Sequence, residues 1–122
     1  MNDIYCEQII PRNIDIDVVT ETSSLLAFHH TAPYWERHIV LVPKKHIESL
    51  SQITDQEESL KLEIMDTLAS ISEAVEKEFG GCRVSTNVGN KQSTKHLHWY
   101  VHAGKRLRNE DGSLIEKGTI SD

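Results

Sequence analysis

Residues 95–104, KHLHWYVHAG, place an imidazole or phenol at every second position. In an extended strand, residues two apart share a face, so His96, His98, Tyr100 and His102 line one side and Leu97, Trp99 and Val101 the other. Successive side chains on one face stand roughly 7 Å apart, close enough for one phosphate and its neighbours to meet two or three of the rings. Neutral imidazole is available near pH 7 as a nucleophile, proton donor or metal ligand. Ahead of the row lies the polar loop 87–93, NVGNKQS, with Gly89 where backbone amides can turn toward an anion. Polar rings on an exposed strand face can also be inert. A polar loop feeding a histidine strand reads as a phosphate site.

The elements that must position this row are short. Leu60, Ile64, Leu68, Ile71, Val75 and Phe79 recur at spacings of three and four, which predicts one amphipathic helix over 55–79. Thr54 and Glu57 have the spacing of a capping box, and Gly80 can take the left-handed position that ends a helix. Branched apolar runs at 14–20, 25–29, 38–42, 82–87 and 97–101 read as strands. With one long helix and mostly short connections, they predict an α+β fold, an antiparallel sheet of about five strands covered on one face. The run 38–42, HIVLV, is too apolar for a solvated edge and points to a homodimer.

A chain of 122 residues with no internal repeat is one domain's worth. Its net charge of -6 supplies no general basic field, so no nucleic-acid polymer is expected as a partner and a small anion needs a local site. No segment approaches the roughly 20 apolar residues of a membrane span, and the first residues carry no secretory pattern. A cytoplasmic protein with no membrane partner is expected, with Cys6 and Cys82 reduced.

Two separated blocks resemble the histidine-triad (HIT) family. One is Asn87, then Gln92-Ser93-Thr94-Lys95, then His96-Leu97-His98-Trp99-Tyr100. The other is Leu26-Ala27-Phe28-His29, followed by residues 38–46, HIVLVPKKH, similar to the family's strand pair ending in a Pro-Lys-x-His turn. The resemblance implies a HIT-like domain over 1–105, with 106–122 as a tail or hairpin of the same domain turning at Glu110-Asp111-Gly112. It implies a nucleotide-phosphate hydrolase or nucleotidyl transferase needing no cofactor, in which His98 attacks an α-phosphorus and forms a nucleotidyl-histidine that water resolves. By the same resemblance His96 is the first triad histidine, and His38 helps fix the imidazole from the neighbouring strand. Asn87, Gln92 and Ser93 lie at the phosphate and ribose. Tyr5, Ile9 and Phe28 fall at an apolar base slot, and each reads equally well as core.

The departures are specific. Tyr100 holds the third triad position, where a phenol with a reference pKa near 10 is a weaker acid than imidazole. His30 stands where the family commonly has an Asp that accepts from ribose hydroxyls. These changes open the alternative of a weak or inactive nucleotide-binding module. No metal is required, although Cys6, His46, His96 and Asp3 match, with Asp for the first Cys, a zinc set of some bacterial relatives.

Overall fold

The computed structural model describes residues 3–115; residues 116–122 of the expected tail lie outside the described residues. Five strands, β1 (Asp17–Glu21), β2 (Leu25–His29), β3 (Trp35–Pro43), β4 (Arg83–Thr86) and β5 (Trp99–Arg106), form one antiparallel sheet in the order β1-β2-β3-β5-β4. One long helix, α1 (Glu58–Phe79), joins β3 to β4. The architecture is the α+β arrangement expected from the apolar periodicities.

The sheet separates two cores by residue parity. Leu25, Ala27, Ile39, Leu41, Leu97 and Val101 meet Ile64, Leu68, Ile71 and Val75 of the helix. Leu26, Phe28, Val40 and Val42 point the other way, where Tyr5 and Ile9 cover them. These two come from a π-helical turn, Tyr5–Ile9, in which the Ile10 amide donates to the Tyr5 carbonyl at 2.8 Å.

That turn corrects the argument made for a dimer. β3 is the middle strand, flanked by β2 and β5, and its second face is covered by the chain's own N-terminal turn, so the run 38–42 is not an edge. Three further expectations shift. The Thr54 side chain makes no cap hydrogen bond and Glu57 pairs with Lys45 instead, so no capping box forms and a short 3-10 turn, Asp55–Glu57, leads into α1. Gly80 ends the helix at φ 85°, as its position requires. The first strand begins at Asp17, leaving Ile14 and Ile16 to pack on the second core. The last strand spans 99–106 instead of 97–101: ladder pairing with β3 stops at Leu41–Trp99, and the Leu97 amide donates to the Ile47 carbonyl, beyond the end of β3.

After β5 the chain folds into a small hairpin bridged by Arg108 and Leu114. The Arg108 side chain ties it down by donating to the Pro33 and Gly112 carbonyls at 3.1 and 2.7 Å.

Candidate active site and its cavity

His96 and His98 sit on the segment that leads into β5, 0% and 2% exposed. The His98 Nδ1 lies 2.7 Å from the His96 backbone oxygen. A carbonyl only accepts, so Nδ1 carries the proton and, in the neutral ring, Nε2 keeps the lone pair. Burial holds the ring's pKa below the ordinary imidazole value, which favours that neutral form. The Tyr100 hydroxyl donates to Nε2 at 3.1 Å. Thr86 Oγ1, at the end of β4, donates to the His98 carbonyl at 2.6 Å and fixes the backbone beneath the ring.

His38 does not orient this ring. Its own Nδ1 accepts the Tyr34 amide at 3.0 Å, and the group that fixes His98 is the His96 carbonyl. The His38 ring instead stacks on His30, with centroids 4.4 Å apart and planes 19° apart, and stands edge-on to Tyr100. Cross-strand register pairs His38 with His102, and the His102 ring stacks on Trp35 at 3.8 Å.

A cavity of about 520 Å³ opens among these rings, lined by His30, Tyr34, Trp35, His38, Tyr100 and His102 and, at its polar end, by Ser85, Asn87 and Ser93. Tyr100 thus stands between the cavity and His98. Asn87 and Ser93 line the cavity. Gln92 does not: its amide turns inward and donates to the Glu48 and Thr94 carbonyls at 2.8 and 3.3 Å, bracing the loop. Tyr5, Ile9 and Phe28 lie in the second core and not among the lining residues, so the core reading holds for them. Tyr5 nevertheless packs on His98 with ring centroids 5.1 Å apart, and burial and the neighbouring Tyr100 push its phenol well up.

Trp35, Tyr34 and Ser85 escaped the sequence reading. Strict alternation puts Trp35 on the opposite face from His38, three residues on. Trp35 nevertheless meets His38 edge-on at 5.4 Å, where the register shifts between Trp35 and Arg37 and β5 carries the extra residue. Gly104 supplies the local freedom opposite it, at φ 84°. Two aromatics within four residues of a strand histidine were the available signal.

A second cluster lies behind the first triad histidine. The ligand atoms of Asp3, Cys6, His46 and His96 all fall within 4.8 Å of one another. His96 Nε2 donates to the Pro43 carbonyl at 2.8 Å, and Nδ1 faces Asp3 Oδ2 at 2.8 Å and Cys6 Sγ at 3.4 Å. His46 Nδ1 is 2.6 Å from the same carboxylate oxygen and 3.8 Å from the sulfur. One carboxylate, one thiol and two imidazole nitrogens from three parts of the chain are the donor types that a tetrahedral ion takes, and the Pro43 contact would be the outer hydrogen bond that orients His96 as a ligand. Burial and the Asp3 carboxylate push the Cys6 thiol up to about 11, and a bound cation would favour the thiolate instead. The donor set fits zinc.

Comparison with known proteins places the fold in a family. Residues 11–107 match the HIT domain family. An uncharacterised HIT-like protein of Synechococcus elongatus is 33% identical over 102 residues, covering 82% of this chain and 89% of its own. The crystal structure of a histidine triad protein from Clostridium difficile superposes with a TM-score of 0.72 at 38% identity, over 89% of this chain and 96% of that one. A HIT family hydrolase from Legionella pneumophila gives 0.75 at 26% identity, over 89% and 98%. The chain therefore belongs to the histidine-triad family, whose shared chemistry is histidine-mediated and directed at nucleotide phosphates.

Proposed function

We propose that this protein is a nucleotide-phosphate hydrolase or nucleotidyl transferase that works through a nucleotidyl-histidine on His98. The observation that carries the reading is the 2.7 Å bond from His98 Nδ1–H to the His96 carbonyl, which leaves the lone pair on Nε2, as a nucleophilic imidazole needs. The α-phosphorus enters from the cavity, with its oxygens at Ser93 and Asn87. The Tyr100 hydroxyl leaves Nε2, the N–P bond forms, and the bond from phosphorus to the leaving group breaks. Tyr100 passes its proton to the departing atom. Water, or an acceptor hydroxyl, then attacks the phosphorus and returns its proton to Tyr100 as the N–P bond breaks, restoring both side chains.

One observation favours the non-catalytic alternative, a nucleotide-binding module: His98 is 2% exposed and its lone pair is already met by Tyr100. Turnover of adenosine 5′-phosphoramidate separates the two. The enzyme reading predicts that His98→Ala lowers turnover at least about a thousandfold. Equal, slow turnover by both proteins leaves the binding module.

Zinc at Asp3, Cys6, His46 and His96 belongs to the same proposal. Bound there it would tie the N-terminal turn to the start of β5 and the end of β3, and so hold the segment whose carbonyl orients His98. Metal analysis of the purified chain should find zinc in the wild type and less in Cys6→Ala, with none in either retiring the site. A homodimer is also proposed, now on the exposed edge strand β4, where Val84 is 45% exposed beside a broad cavity of about 1170 Å³. Light scattering should return twice the 13.9 kDa chain mass.

A further inference from the structure

We infer that His30 and His38 form a paired N–H donor site that grips an oxyanion in the cavity beside His98. The argument starts from which nitrogen carries each proton. The Ala32 amide donates to His30 Nδ1 at 3.0 Å, and the Tyr34 amide donates to His38 Nδ1 at 3.0 Å. An amide N–H cannot accept, so both Nδ1 atoms are acceptors and both protons reside on Nε2. The loop between β2 and β3 therefore sets the same tautomer in two rings that stack on each other.

The His38 Nε2–H is a donor with no protein acceptor among the described residues, in a side chain only 5% exposed. Buried donors in native proteins are almost always satisfied, and one left over at the wall of a cavity marks where a ligand's acceptor sits. His30 lines the same cavity and brings a second donor of the same kind. Burial holds both rings below the usual imidazole range, His38 at about 3, so the pair presents two neutral donors across the whole physiological pH span.

Two donors with no free acceptor select an oxygen that only accepts. A hydroxyl would leave its own hydrogen unmatched there, whereas a phosphoryl oxygen is complete with one or two donors. The Arg108 guanidinium, whose charge is felt at His30, adds a positive field from the hairpin side. The pair thus reverses the polarity that a carboxylate at position 30 would have: this end of the cavity binds acceptors rather than ribose hydroxyls. Identifying the oxyanion as a phosphate rests on the proposed function; the donor pair itself rests only on the two tautomers and the cavity.

The test uses the full chain labelled with ¹⁵N-histidine and titrated first with inorganic phosphate and then with adenosine 5′-monophosphate. Long-range ¹H–¹⁵N spectra should show His30 and His38 as Nε2–H tautomers before addition, with both Nε2–H protons moving downfield as ligand binds. Either ring in the Nδ1–H tautomer, or both Nε2–H signals unmoved at saturation, overturns the inference. Calorimetry of His30→Phe and His38→Phe, which keep a flat ring in the stack, should show adenosine 5′-monophosphate binding weakened about tenfold or more; affinity unchanged in both also overturns it. Moving signals together with His98-independent turnover would leave the donor pair standing and remove the proposed reaction. His98-dependent turnover with silent Nε2–H signals would do the reverse.

Discussion

In the proposed reaction Tyr100 is the residue on which the chemistry turns, because its hydroxyl touches Nε2 of His98 and its ring also lines the cavity. Burial raises its pKa above the ordinary phenol value, so it is a weak acid toward the leaving group and, once deprotonated, a strong base toward the incoming water. Tyr100→Phe removes that proton path while keeping the ring, and it should lower kcat toward adenosine 5′-phosphoramidate by about a hundredfold, within the usual range for a general acid–base. Steady-state kinetics check this, and an unchanged kcat would make the phenol a spacer. The shared face of His98, Tyr100 and His102 was legible in the sequence because it follows from parity alone. The tautomers were not. They depend on the His96 carbonyl and the Ala32 and Tyr34 amides, whose directions come from backbone irregularities that side-chain identity does not encode. Assigning His38 to the orientation of His98 failed for that reason.

At the scale of the elements, the site depends on two departures from regular strand geometry. One is the early end of the β3–β5 ladder, which frees the His96 carbonyl to curl back onto the His98 ring. The other is the irregularity at Trp35–Arg37, opposite Gly104, which closes the aromatic wall of the cavity. Gly104 sits at φ 84°, and a Cβ there would fall 2.8 Å from Glu36 Cβ. Gly104→Ala must therefore strain the backbone and push β3 aside, at a cost of about 1–3 kcal/mol. Thermal melting should show a Tm several degrees lower, and no change would mean that the strand pair relaxes freely at this point. The long helix and four of the five strands could be placed to within a few residues from period and branching. The N-terminal turn could not, because five residues of mixed polarity carry no periodicity; its place is set by Asp3, whose carboxylate caps the Tyr5 and Cys6 amides and reaches His46 and His96. That same turn covers the sheet face for which the sequence suggested a partner.

Four of the seven histidines are held neutral by the fold as a whole. His30, His38, His98 and His102 all lie below the ordinary imidazole value, with burial the first cause in each. In the unfolded chain each takes up a proton near the ordinary imidazole value of 6.5, so the unfolded state binds more protons and stability falls as pH falls. For His38 the loss begins near pH 6.5 and continues down to its folded value of about 3, at a limiting slope of about 1.4 kcal/mol per pH unit. Urea unfolding between pH 7 and 5 should show this decline, and His38→Phe should flatten it by about one proton; an unaltered slope would mean that His38 is not held neutral in the fold. Through this neutrality the fold keeps a lone pair on His98 Nε2, the condition for the proposed covalent step. The most direct test mixes the protein with ³²P-labelled adenosine 5′-phosphoramidate, quenches in alkali, where phosphorus–imidazole bonds survive, and maps the adduct by mass spectrometry. The expected result is a nucleotidyl group on the peptide containing His98, lost in His98→Ala. Turnover that proceeds with no adduct on His98, and equally well in His98→Ala, would contradict it.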